Sequence, residues 1–231
     1  MLQSISKLKL YLYLLFFVFL SSIFNFKLIE NFKDSFILKQ VNINGLSNTE
    51  KKIIESELSN FQNINIFKLS EDMLIESLNK FNFLENISVN KIIPSTINIK
   101  LSKTSILGKT IFNGEKFFIG ENGKFINSNQ LFEKNDVATV FGNFKIDEYL
   151  NLLKILKDYN INLNTVKKYY YYKNKRWDIL FSNELTLMLP SKNMEKSIKI
   201  YKKLLDNGNL INTKIVDLRI INQIILTNNN E

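Results

Sequence analysis

The chain has 231 residues with 31 Lys+Arg against 22 Asp+Glu, a net charge of +9, and neither histidine nor cysteine. Imidazole base catalysis, thiolate nucleophiles, disulfides and His- or Cys-ligated zinc are therefore excluded. The lysine excess favours contact with anionic lipid or acidic partners, but the lysines are spread along the whole chain among asparagines and mark no one patch.

An uncharged apolar run at 10–26 has no counterpart later in the chain. A spanning helix needs roughly 20 residues, which 8–28 supplies if Lys9 and Lys27 snorkel to the headgroups. Lys7 and Lys9 precede the run without an acidic residue, whereas Lys27 and Lys33 are matched by Glu30 and Asp34. The expectation is a cytoplasmic N-terminus at 1–7, a transmembrane helix at 8–28 and a juxtamembrane linker at 29–34. A cleaved signal peptide shares the charged start and apolar core, but the run is long for one and no A-x-A-like site follows Ser21 and Ser22.

About two hundred residues remain, enough for two small domains. The first, 35–103, reads as strand, helix, helix, strand, strand. Segment 36–44 alternates with Ile37, Lys39, Val41 and Ile43 on one face and closes at Gly45. Ser47 or Asn48 caps a helix that turns Ile53, Ile54 and Leu58 inward and Glu50, Lys51 and Glu55 to water. Ser70, with Glu71 and Asp72 at the positive helix end, opens a second helix that carries Leu74 and Leu78 inward and stops near Asn82. Two alternating segments flank Pro94, with Ile87, Val89, Lys91 and Ile93 before it and Ile97, Ile99 and Leu101 after it, as in a hairpin.

Five of the seven glycines fall between Ser102 and Phe144, with turns at Asn113-Gly114 and Asn122-Gly123 and a β-like piece at 116–119. They open a second domain, 104–227, expected to be mixed α/β on a mainly antiparallel sheet, so the fold class is α+β. Asp147 and Glu148 start a helix bearing Tyr149, Leu152, Leu153 and Leu156, and strands follow at 166–172, 176–181 and 184–189. A helix at 192–205 presents Met194, Ile198, Tyr201 and Leu205 to a core, strands at 214–219 and 220–227 finish the domain, and 228–231 is expected to fray.

Several features invite a chemical reading. The run Lys167-Lys168-Tyr169-Tyr170-Tyr171-Tyr172-Lys173 interleaves aromatics and cations as single-stranded nucleic-acid binders do, but alternate tyrosines of a strand face opposite ways and suit hairpin packing or a partner contact. Lys192, Lys196, Lys199 and Lys203 form a cationic helical stripe that an acidic helix can read and that is also an ordinary solvated face. Ser77 and Lys80, as S-x-x-K, can meet on one helix face, whereas Ser88 and Lys91 in a strand point apart. The S-D-N and K-T-G elements that complete such a site are missing, and Lys80 suits a helix C-terminus. No catalytic, cofactor or metal residues are assigned, and the pairs Glu71/Asp72 and Asp147/Glu148 need only their helix starts.

The order of short motifs resembles the FtsQ/DivIB cell-division family. After one anchor come Val41-Asn42-Ile43-Asn44-Gly45, Asn65-Ile66-Phe67-Lys68-Leu69 and the segment 89–99 around Pro94, similar to landmarks of that family's POTRA domain. Arg176-Trp177-Asp178-Ile179, the segment 184–190 and Val216-Asp217-Leu218-Arg219 resemble its β domain. One departure is Ser102-Lys103-Thr104-Ser105, where the family has an acidic-basic-proline turn. Gly45, Lys91 and Pro94 serve as POTRA landmarks, Lys91 in a structural or electrostatic role. The resemblance implies a single-pass protein of the bacterial inner membrane with periplasmic domains, a non-enzymatic scaffold at the division site. It implies FtsB- and FtsL-like partners at the β domain, other division proteins at the POTRA domain, and neither nucleic acid, cofactor nor small-molecule substrate.

Partner contacts are expected at Arg176, Trp177, Tyr201, Ile220, Asn222, Ile224 and Leu226. Ile220, Asn222, Ile224 and Leu226 share one face of a strand that, at a sheet edge, offers its backbone to an incoming strand. Two other readings are a membrane-tethered POTRA protein of envelope polypeptide transport and a secreted lipid-binding protein cleaved after Ser22.

Overall fold

The computed structural model describes residues 7–23, 33–130, 136–220 and 222–228. Helix α1 covers Lys7–Ile23, 17 residues of mostly apolar, exposed side chains. At 1.5 Å per residue it is about 26 Å long. Among the described residues no helix is long and apolar enough to cross a membrane. The expected span at 8–28 runs on into positions outside the described residues.

Residues up to Lys80 together with Asn86–Ser102 make one compact unit, and Phe81–Glu85 with Lys103 onward make the second. The first carries β1 (Gln40–Asn44), α2 (Asn48–Leu58), α3 (Glu71–Leu78), most of β2 (Leu84–Ile92) and β3 (Thr96–Lys103). Its sheet runs β1-β3-β2, with β1 parallel to β3. Ile43, Val89, Ile97, Ile99 and Leu101 are buried on one face, as are Ile54, Leu58, Leu74 and Leu78 of the helices, so the two periodicities close one core.

Four expectations for this unit need correction. The first strand begins at Gln40 rather than 36, because the chain before it pairs with the connector instead: Ile37 bridges Asn65, the Leu38 N–H donates to Ile64 O at 3.0 Å and the Ile66 N–H to Phe36 O at 2.8 Å. This buries Leu38 and leaves Lys39 exposed. Glu50, expected to face water, is fully buried, its carboxylate accepting from the Ser47 N–H at 3.0 Å and the Ser47 hydroxyl at 2.7 Å. At the third helical position a glutamate reaches back to satisfy the cap. Helix α3 ends at Leu78, and Ile93 at the hairpin tip is 60% exposed. Ser70 does cap α3, accepting from the Met73 N–H at 3.0 Å.

The second unit holds a mixed nine-stranded sheet in the order β12-β11-β10-β9-β8-β7-β4-β5-β6. Strands β4 (Ile106–Phe112) and β5 (Glu115–Gly120) form a hairpin across Asn113 and Gly114, both at positive φ as a two-residue turn requires. Strands β6 (Phe125–Asn127) and β7 (Thr139–Phe141) precede α4 (Ile146–Asp158), and β8 (Val166–Tyr171), β9 (Trp177–Phe181) and β10 (Thr186–Met188) follow it. Helix α5 (Met194–Asp206) then leads to β11 (Thr213–Asp217) and β12 (Ile225–Asn228). Among the described residues the sheet's pairings are five antiparallel and three parallel, the parallel ones falling at β4/β7, β7/β8 and β10/β11. Tyr149, Leu152, Leu153 and Leu156 of α4 and Ile198 and Tyr201 of α5 are buried with Val140, Tyr169, Ile179, Leu187 and Val216 of the sheet.

Met194, Ile198 and Tyr201 of α5 face the core as expected, and only Leu205 does not. Leu205 is 45% exposed, while Ser197 is buried and Leu204 packs against the core. Asn228, expected in a frayed tail, ends β12, and 229–231 lie outside the described residues. Residues 81–85 are tied into the second unit by side-chain amides: Asn122 donates to Asn82 O at 3.0 Å and Leu84 O at 3.2 Å, and Asn82 donates to Phe125 O at 2.8 Å.

Candidate partner-binding surface

Strand β12 stands at the end of the nine-strand order and pairs with β11 through Asp217↔Ile225, Val216↔Leu226 and Ile215↔Thr227. Alternation puts Leu226 on the core face and Ile225 on the opposite one, yet they are 41% and 40% exposed, so neither side of this strand is covered as β9 or β10 is. Ile224 and Ile220 are 46% and 58% exposed. The strand expected at 220–227 is shorter than its alternation implied. Asn222 takes a left-handed φ of 64°, and the Gln223 N–H donates back to Ile220 O at 3.2 Å. Ile220 and Asn222 thus lie in a turn ahead of the strand and do not share a strand face with Leu226. Asparagine tolerates that conformation where a β-branched residue would not.

Beside this edge a cleft of about 270 Å³ is walled by Asn174, Arg176, Pro190, Ser191, Lys192 and Arg219. A second cleft shares Pro190 and Lys192 and continues along Lys196 and Ile200 to Ile220 and Asn222. The two arginines of the first lie close to carboxylates. Arg219 grips Asp217 with Nε at 2.8 Å from Oδ1 and Nη2 at 2.5 Å from Oδ2, which holds the Asp217 carboxyl below its usual range and raises the Arg219 guanidinium. Arg176 lies 4.2 Å over the Tyr172 ring, and the Tyr172 hydroxyl bonds to Asp178. Asp178 is 4% exposed, and neither its Oδ1 nor Arg176 Nε has a hydrogen-bond partner.

Burial raises the Asp178 carboxyl, against the pull of the Tyr172 hydroxyl and of Arg176 and Arg219. A raised carboxyl means that its charge costs folding free energy. That cost is absent below the unfolded-state value and grows as pH rises through the folded one. Asp178→Asn is therefore expected to melt above the wild type at about pH 7, with the gap closing on acidification to about pH 4. A variant melting lower at neutral pH would show that the carboxylate is net stabilising.

Two of the expected contact residues lie inside the molecule. Trp177 is 1% exposed, packed on Tyr171 at 4.7 Å and on Phe144 and Tyr149 at 6.0 Å. Tyr201 is 4% exposed, stacked on Phe181 at 5.8 Å, its hydroxyl pushed up to about 12 by burial. Both side chains are therefore core residues in this fold and not exposed ones. The tyrosine run is likewise engaged: Tyr169 meets Tyr149, Tyr170 stacks on Phe141 at 5.2 Å, Tyr171 meets Trp177 and Tyr172 carries Arg176. Lys192, Lys196, Lys199 and Lys203 are all exposed, the first two lining the clefts.

The serine and lysine weighed for catalysis are occupied structurally. Ser77 Oγ donates to Leu74 O at 2.8 Å, and Lys80 pairs with Glu57. Lys91, on the core-facing side of β2, donates its ammonium to Leu69 O. Pro94 follows a cis peptide bond at the β2–β3 turn, and Gly45 ends β1 at a φ of +97°. Asp178, Asp217 and Tyr172 were not singled out as site residues. Asp178 and Asp217 come together through the register of β9, β10 and β11, where both oppose Met188, and Tyr172 joins them across the β8–β9 turn.

The family description "POTRA domain, FtsQ-type" matches residues 36–103, and "Cell division protein FtsQ/DivIB, C-terminal" matches residues 111–219. The cell division protein FtsQ of Rickettsia typhi is 27% identical over 189 residues, 81% of this chain and 71% of that protein. That of Rickettsia bellii is 26% identical over 193 residues, 80% of this chain and 69% of that protein. Among solved structures, the major extracytoplasmic domain of the cell division protein DivIB from Geobacillus stearothermophilus aligns at 12% identity and a TM-score of 0.32, covering 48% of this chain and 99% of that one.

Proposed function

Because this chain belongs to the FtsQ/DivIB family of cell division proteins, we propose that it is a non-enzymatic scaffold of the division machinery, held by one inner-membrane span and binding FtsB- and FtsL-like bitopic partners by strand addition at β12. The observation that carries the partner reading is the place of β12, outermost in the sheet with both of its faces substantially exposed. An edge strand offers a row of backbone donors and acceptors that a partner strand completes. Arg176, Arg219 and Lys192 beside that edge suit acidic side chains on the incoming segment. The anchor rests on the apolar run at 10–26 and its flanking lysines, with 8–28 as the span, the N-terminus cytoplasmic and the domains at 35–103 and 104–227 periplasmic. The first of these domains is left to recruit other division proteins. No cofactor or small-molecule substrate belongs to the reading.

The test is affinity capture of the full-length protein from its native cells, with mass spectrometry against a detergent-matched control. Two small single-pass, coiled-coil-like division proteins are expected. Reproducible recovery of envelope transport or assembly components in their place would replace the scaffold reading.

A further inference from the structure

Phe67 is among the most exposed aromatic side chains beyond α1, at 64%. It is not a loose ring. Its N–H donates to Asn65 Oδ1 at 3.0 Å, and its ring centroid lies 5.1 Å from that of Phe36, tilted by 44°. The two rings are held together because their segments are: the Ile66 N–H donates to Phe36 O at 2.8 Å, and Ile37 bridges Asn65. Folding thus places the Phe67 ring outward, propped by the half-buried Phe36, at the point where the chain enters the first unit.

The segments that carry the pair also carry exposed lysines, with the exposed carboxylates of Glu71 and Asp72 following at the start of α3. Segments 33–39 and 64–69 carry Lys33, Lys39 and Lys68, all exposed, against the one carboxylate of Asp34. Aromatic rings flanked by lysines match the chemistry of the bilayer interface, where amphipathic and aromatic groups settle at headgroup level and cations meet anionic lipid. Chain length keeps this face within reach of the bilayer. Nine residues separate Ile23 from Lys33. At no more than about 3.5 Å per residue they hold the start of the unit within about 35 Å of the end of α1. A surface tethered that closely to a membrane meets it at high effective concentration, so a small patch suffices.

We propose that the Phe36–Phe67 pair and Lys33, Lys39 and Lys68 are a second, peripheral contact with the bilayer in which α1 is anchored, seated among anionic lipid headgroups. This contact rests on the single-span reading. It fixes the distance of the first unit from the bilayer and limits its swing on the linker, leaving the surface away from this patch for protein partners.

The chain lacks cysteine, so Phe67→Cys in the full-length protein gives one labelling site, with Asn209→Cys, at an exposed position of the second unit, as the reference. Each is labelled with an environment-sensitive fluorophore and reconstituted into phosphatidylethanolamine/phosphatidylglycerol vesicles containing brominated acyl chains. The label at 67 is expected to be blue-shifted and quenched several-fold more than that at 209, and less so in vesicles of phosphatidylcholine alone. Changing Lys33, Lys39 and Lys68 together to Gln should reduce the quenching. Since Phe67 is mostly exposed, the labelled variant should melt with the wild type. Equal quenching at 67 and 209 in protein that floats with the vesicles overturns the contact and leaves the anchor standing. Protein that does not float overturns the anchor, and the contact with it.

Discussion

Proline at one of two successive positions, Ile225 or Leu226, should sharply weaken partner capture while leaving the melting temperature nearly unchanged. Neighbouring residues of an antiparallel edge strand send their N–H groups in opposite directions, one toward β11 and the next away from the sheet. Proline removes the donor and fixes φ. At the inward position it breaks a bond to β11 and destabilises the sheet's last strand. At the outward position the fold loses nothing, as expected of proline on a free edge, but an added strand loses a ladder bond and meets the ring. The two variants, Ile225→Pro and Leu226→Pro, are compared by thermal melting and by capture of the partners. One should combine near-native melting with capture reduced by at least about tenfold, the equivalent of ~1.4 kcal/mol. If the well-folded variant captures partners as the wild type does, strand addition at β12 is wrong.

Gly45→Ala is expected to be among the most damaging single substitutions in the first unit. A Cβ at this position would lie 1.9 Å from Leu101 O, at a φ of +97°. The obstacle is backbone of β3, not the tip of a flexible side chain, so β1 and β3 must separate for the methyl to fit. Gly114 supplies the comparison, with φ at +82° and nothing within 4 Å of the added Cβ. Gly114→Ala should cost about 1 kcal/mol, the conformational preference alone. Gly45→Ala should cost about 3–5 kcal/mol, as other severe backbone and packing conflicts do. Hydrogen exchange at the amides of β1 and β3 reads the loss in the unit concerned. Equal costs at the two glycines would mean that the approach of Leu101 is not tight.

The elements legible in the sequence are those whose signals are local. Ile97, Ile99 and Leu101 alternate and are buried, Tyr149, Leu152, Leu153 and Leu156 recur at helical spacing and are buried, and Asn113-Gly114 makes its hairpin. The landmark motifs also pointed to the right family. What local pattern did not convey depends on a partner elsewhere in the chain. Ser47-Asn48-Thr49-Glu50 is itself the local signature of a capping box, so the return of the Glu50 carboxylate to the Ser47 N–H is legible there, and only its full burial depends on packing from the rest of the unit. Leu205 and Leu204 are equally apolar, and only the docking of α5 chooses Leu204. The alternation at 220–227 looked continuous because Asn222 fits a strand pattern as well as it fits the left-handed turn it makes. Beside the edge strand, Asp178 became visible only when three strands were set in register.

The discontinuity of the second unit, which includes Phe81–Glu85, changes what a deletion phenotype would mean. Excising 35–103 as one block also removes both carbonyl acceptors of the Asn122 side chain and the amide that donates to Phe125 O. A truncated protein that no longer binds its partners would then report injury to the C-terminal unit, and genetic mapping would credit the first unit with a contact it does not make. Chimaeras that exchange the first unit but retain 81–85 avoid that confusion, and only those assign a division defect to one half of the protein.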